Sequence, residues 1–211
     1  MFEIEYKGGN SLIVASKKTT LSIDSKASLV GLKDLKVKDT VELATETRFR
    51  TGAADAAVVI DGPGEYEAGD FTIRGIAATR HIDTADQEKL ATIYRIEMGD
   101  FRMALLGNID PKLTEDQLEG LGVIDILILP VGGGGYTLDA TSAATIVRQI
   151  EPKVVIPVHY ADAALKYEVP QDSLETFTKE LGAPTEQMSK LKLKTAASLP
   201  PVLTVLELAR S

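Results

Sequence analysis

Apolar and polar residues alternate from Phe2 to Tyr6, where Phe, Ile and Tyr are separated by glutamates. A two-residue period predicts a strand with one face buried. Gly8-Gly9-Asn10 signals a turn, and Ser11 to Ala15 resumes a strand. Thr20 to Ile23 is a third strand, ending at Asp24. Ala56 to Ile60 is a short apolar run stopped by Asp61-Gly62-Pro63-Gly64. Phe71 to Ile76, Ala91 to Ile96 and Phe101 to Leu106 complete a β-rich first half, punctuated by glycine-containing turns.

The rhythm then changes. Thr114-Glu115-Asp116-Gln117 predicts a capping box that opens a helix carrying Leu118 and Leu121 on one side. Ile124 to Val131 is almost continuously apolar, as a strand buried on both faces must be. Ala144, Val147 and Ile150 fall at helical spacing within Ala140 to Ile150, and Val154 to Val158 reads as another buried strand. Strand, helix and strand of this size make a βαβ unit. Ser173 to Leu181 predicts a further amphipathic helix, stopped at Gly182. Lys190 to Lys194 alternates lysine with leucine and reads as an edge strand whose lysines face water. Val202 to Leu208 is the last predicted strand. With no repeat, low-complexity tract or linker, the expectation is one α/β domain over residues 1–211.

Composition narrows the functional classes. Hydrophobic residues make up 44 % of the 211, enough for a substantial core, and the absence of Trp leaves that core to Val, Ile, Leu and Ala. There is no Cys, so disulfides and thiolate metal sites are excluded. A formal charge of −8 opposes binding to nucleic acid or to an anionic membrane. No leader-like or membrane-spanning run is visible, so a soluble cytoplasmic protein is expected.

The candidate chemistry centres on Ile156-Pro157-Val158-His159-Tyr160, where a buried strand ends by delivering one of only two histidines. An imidazole at a sheet rim is a common metal ligand. Further fragments share its context: Asp61-Gly62-Pro63-Gly64-Glu65-Tyr66-Glu67, Leu106-Gly107-Asn108, Leu113-Thr114, and Ile124 through Gly133. Together, in order and spacing, they resemble the metallo-β-lactamase fold, in particular its branch of small Zn-dependent hydrolases similar to ascorbate-6-phosphate lactonase. The resemblance spans roughly residues 1–170. It implies a four-layer αββα sandwich with a site at one sheet edge. It also implies two metal ions bridged by a hydroxide, which supplies a nucleophile at neutral pH.

In that family the ligands come from an H-x-H-x-D-H loop, a later His, an Asp in a Gly-Asp step, and a final His. Transferred to this chain, the loop positions carry Thr45, Thr47, Phe49 and Arg50, none of them a strong ligand. Arg50 is a fixed positive charge. The Gly-Asp step reads Gly107-Asn108, the final His is His159, and His81 stands near the intermediate one. These seven positions form the expected pocket, with His81 and His159 as weak metal candidates and no metal expected.

The expected function is therefore a non-catalytic pseudoenzyme that binds a small-molecule ligand or partner, or assembles into a homo-oligomer. The alternative is a hydrolase of an ester, lactone or phosphorylated sugar, with one Zn or Mn ion near His81, Asn108 and His159. A third reading is metal-free chemistry by carboxylates in the cleft, which a strongly raised carboxylate pKa would mark. The plainer readings of neighbouring residues are structural. His159 is a hydrogen-bonded strand-end imidazole, His81 an exposed loop residue and Asn108 a turn residue. Glu46, Arg48 and Arg50 make a solvated charged loop rather than an anion pocket, and Asp24, Asp61 and Glu65 are structural. Gly132 to Gly135 is a flexible turn at the pocket rim, lacking the Lys-Ser/Thr of a phosphate loop.

Overall fold

The computed structural model describes residues 1–81 and 90–211. The chain begins with β1 (Phe2–Gly8), β2 (Ser11–Ala15), β3 (Thr20–Ile23), β4 (Val41–Leu43) and β5 (Val58–Ile60). It continues with β6 (Gly64–Ala68), β7 (Phe71–Thr79), β8 (Leu90–Met98) and β9 (Phe101–Leu105). The second half supplies α1 (Glu115–Leu121), β10 (Ile126–Pro130), α2 (Ala140–Ile150), β11 (Val154–Val158) and α3 (Leu174–Leu181). Three strands close it: β12 (Thr185–Met188), β13 (Leu191–Leu193) and β14 (Thr204–Leu208).

The strands form a six-stranded sheet ordered β13-β1-β2-β3-β4-β5 and an eight-stranded sheet ordered β12-β14-β11-β10-β9-β8-β7-β6. Their inner faces share one core, where Ile4, Leu12 and Leu21 of the first sheet meet Ile73, Ile96 and Ile128 of the second. The outer face of the eight-stranded sheet buries Leu127, Leu129 and Val155 under Leu121, Val147 and Phe177 of the helices. This is the two-sheet sandwich with helices outside that the resemblance implies.

Local chemistry explains the element ends. The Thr114 hydroxyl accepts from the Gln117 amide, and the Gln117 side chain accepts from the Thr114 amide, so the expected capping box opens α1. Asp139 caps α2 through the Ser142 amide. Around α2, β10 and β11 pair in parallel, as a βαβ unit requires. Leu191–Leu193 is an edge strand, with Lys190 2.6 Å from Glu3 and Lys192 3.1 Å from the same carboxylate.

Three strands differ from expectation. Ala56 to Ile60 narrows to β5, Ala56 making only an isolated bridge to Lys38. β6 and β12 were not expected, because Gly-Glu-Tyr-Glu-Ala and Thr-Glu-Gln-Met carry little apolar signal. Both are edge strands that need only one partner, β7 and β14.

Candidate functional site

The site is built from strand ends. β3 delivers Asp24, β4 leads into the Thr45–Arg50 loop, β9 leads to Asn108, and β11 delivers His159. The β1–β2 turn adds Asn10, and the residues after β7 add Arg80 and His81. Asp24 and His159 both have left-handed backbones, with φ of 45° and 51°. Non-glycine residues held there are strained, and such strain collects at functional sites.

A continuous polar chain joins these elements. His159 Nδ1 lies 3.1 Å from Asn10 Oδ1, and Asn10 Nδ2 donates to Asn108 Oδ1 at 3.4 Å. Asn108 Nδ2 donates to Glu46 Oε1 at 3.1 Å. The other Glu46 oxygen faces Arg48 Nε at 2.8 Å and Arg80 Nη1 at 3.3 Å. Since Asn10 spends its amide nitrogen on Asn108, its oxygen accepts from His159, which places the imidazole proton on Nδ1. Beside this chain, Asp24 accepts from the Thr45 amide and hydroxyl, each at 2.7 Å. Gly107 lets the β9 end approach this loop, since a Cβ there would lie 2.6 Å from Thr45 Oγ1.

Burial sets the protonation states. Burial raises the Asp24 carboxyl to about 7, against the opposing hydrogen bonds from Thr45. Burial, with the Arg48 charge, lowers His159 to about 3, so it is neutral. Burial also raises Glu46, although Arg48 and Arg80 pull the other way. Burial works against the Arg48 charge, but Glu46 outweighs it and the guanidinium is held more firmly protonated. The Arg48 guanidinium lies over the Phe49 ring at 4.8 Å and the Tyr136 ring at 5.0 Å. It also donates to the Tyr136 hydroxyl. His159 stacks on Tyr167 at 4.8 Å. Asn10, Asp24, Lys26, Phe49, Tyr136 and His159 line a cavity of about 30 Å³, room for a water or two.

The expected pocket positions divide. Thr45, Asn108 and His159 join the network, and His81 is tied to it by its backbone amide, 2.8 Å from the Asn108 carbonyl. Phe49 lines the cavity. Thr47 faces solvent, and Arg50 pairs with Asp61 at 2.8 Å. Four structural readings are corrected. His81 is half-buried rather than exposed, and its Nδ1 is shielded from water. Asn108 is 1 % exposed and bridges two elements, which is more than turn chemistry. Glu46 is 4 % exposed, so it belongs to no solvated loop. Asp24 faces the cavity with a raised pKa, the mark named for carboxylate chemistry. The sequence reads Arg80-His81-Ile82-Asp83 as one polar turn, of which Ile82 and Asp83 lie outside the described residues.

Whether these residues suit a metal centre is decided by where their donor atoms point. Among the described residues no group of three or more His, Asp or Glu side chains is placed to hold an ion. Asn108, Glu46 and the Nδ1 of His159 are engaged with one another or with guanidinium groups. The described residues do not fit a two-ion centre.

A family model described as a beta-lactamase superfamily domain matches residues 3–159. The chain belongs to the beta-lactamase superfamily. Among its relatives, a UPF0173 protein of Pyrococcus furiosus is 34 % identical over 119 residues, covering 56 % of this chain and 49 % of that one. A UPF0173 metal-dependent hydrolase of Anaeromyxobacter is 29 % identical over 140 residues, covering 62 % of this chain and 45 % of that one. The chain thus spans about half the length of the curated relatives it matches. Superfamily structures share the fold. A Thermotoga maritima protein described under the name Zn-dependent hydrolase superposes with a TM-score of 0.77 at 22 % identity, covering 99 % of this chain and all of that one. A metallo hydrolase of Ignicoccus hospitalis gives 0.58 at 17 % identity, covering 86 % of this chain and 90 % of that one. These names correct the expectation of a non-catalytic superfamily member: a relative carries a hydrolase name, and the hydrolase alternative fits better. Among the described residues no helix is long and apolar enough to cross a membrane.

Proposed function

We propose that this chain is a hydrolase of an ester, lactone or phosphorylated sugar substrate. The observation that carries the reading is Asp24, a buried carboxyl with a pKa near 7 facing a water-sized cavity beside a neutral imidazole. A group poised near neutral pH suits proton transfer. In this scheme Asp24 takes a proton from a water in the cavity as the water oxygen bonds to the substrate's acyl or phosphoryl centre. The bond to the leaving alcohol breaks, and Asp24 returns the proton to that oxygen. His159, with its proton on Nδ1, presents Nε2 as an acceptor for a substrate hydroxyl.

A metal cofactor is suggested by the relative named a metal-dependent hydrolase, and Zn or Mn is the identity proposed for it. Since the described donors do not fit a two-ion centre, no step here runs through an ion. The partner is a small molecule, and self-association into a homo-oligomer is a separate proposal for sedimentation analysis.

The test is turnover of ester, lactone and phosphomonoester panels by purified protein, once with chelator and once with added Zn or Mn. Hydrolysis that Asp24→Asn reduces at least ~100-fold supports the reading, the lower range for a lost proton-transfer group. No turnover in either condition overturns it.

A further inference from the structure

The Thr45–Arg50 loop carries a guanidinium between two aromatic rings, where the superfamily resemblance expects metal ligands. Arg48 is only partly shielded, its side chain 29 % exposed. Its Nε faces Glu46 and one Nη2 hydrogen goes to the Tyr136 hydroxyl. Among the described residues its Nη1 group has no hydrogen-bond partner. Glu46 does not neutralise Arg48 alone, because the same Glu46 oxygen also faces Arg80. The Phe49 and Tyr136 rings hold the guanidinium plane in place, and both rings line the cavity next to Asp24. Arg48 lies against these two rings rather than in the cavity lining itself, where Lys26 is the cation and Asp24 and Glu168 are the acids. A clamped, partly desolvated guanidinium with free N–H groups matches the forked geometry of a carboxylate or phosphate. It also repels a divalent cation, consistent with donors that do not converge on one.

We infer that Arg48 anchors a metal-independent oxyanion site, which takes the carboxylate or phosphate group of the substrate. The role in turnover rests on the hydrolase reading, whereas the binding does not. The fixed charge does here what a bound cation would otherwise do: it holds the anionic group and draws electron density from it.

The experiment is calorimetric titration of the chelator-treated full chain with inorganic phosphate and, in a second arm, with acetate. The stronger binder identifies the source as phosphate or carboxylate. Wild type binds one of them, and Arg48→Gln weakens that binding at least ~10-fold, the scale of one charge-assisted hydrogen bond. Because Arg48→Gln leaves Glu46 with one fewer partner, Arg48→Gln/Glu46→Gln is measured beside it, with circular dichroism to show that the variants fold. Lys153→Gln, at the far end of β11, leaves the affinity unchanged. Failure of both anions to bind, binding that survives loss of Arg48, or binding that appears only after zinc is added overturns the inference. Arg48-dependent binding without turnover overturns only the hydrolase reading, and turnover without such binding overturns only this one.

Discussion

Asp24 and His159 line the same cavity: each is buried, each has a left-handed backbone, and folding shifts their protons in opposite directions. Asp24 holds its proton more tightly when folded, with a pKa of about 7 against 3.8, so it lowers stability progressively as pH rises between those values. The full effect is on the order of 4 kcal/mol. His159 holds its proton less tightly when folded, about 3 against 6.5, so stability is lost as pH falls through that window. Between about pH 4 and 6.5 the two slopes oppose each other. Asp24→Asn leaves the histidine slope alone, and its melting temperature is expected to climb with pH across that range where the wild type stays flatter. Identical profiles would show that Asp24 does not carry the shift. Gly107 is decided by space: Gly107→Ala puts a Cβ against Thr45 Oγ1. It is expected to cost about 1–3 kcal/mol in urea unfolding, and an unchanged midpoint contradicts the close approach. His159 reads from the sequence as a hydrogen-bonded strand-end imidazole, as it is, whereas the roles of Asp24 and Gly107 do not. Asn10 illustrates why, since Gly-Gly-Asn reads as the same turn whether its amide meets water or bridges His159 and Asn108.

The elements were more legible than the contacts between them. Ile126–Pro130 and Val154–Val158 announce themselves as buried strands because both faces are covered and nearly every residue is apolar. Gly64–Ala68 and Thr185–Met188 are silent because edge strands bury little. What joins the elements near the strand starts is equally invisible in pattern. Asp125 is 2 % exposed and accepts from the Arg102 amide at 3.1 Å and from the Arg102 guanidinium at 2.9 and 3.1 Å, tying the start of β9 to the segment before β10. Asp125→Ala removes those acceptors and is expected to destabilise by about 2–3 kcal/mol in denaturant. A loss below about 0.5 kcal/mol, the scale of a neutral surface change, would mean that the ion pair merely decorates the surface.

At the scale of the molecule, two sheets share one core, and their strand ends bring polar residues from six separate segments to one place. The resemblance made the architecture readable. Its missing ligands point away from catalysis, whereas Asn108 and His159, together with Asn10, Glu46, Arg48 and Arg80, form a polar network of their own. That network needs no ion to close it. Stripping the protein with chelator is therefore expected to move its melting temperature by less than about 1 °C, since an ion bound to the native state would raise it by mass action. The central claim is that the cleft hydrolyses its substrate with Asp24 as the proton-transfer group. Its most direct test is the pH profile of kcat/KM for chelator-treated protein on the best substrate of the panel. Activity rising with pH to a plateau, with an inflection near 7 that disappears along with the activity in Asp24→Asn, is the predicted result; an inflection or rate untouched by that substitution would contradict it.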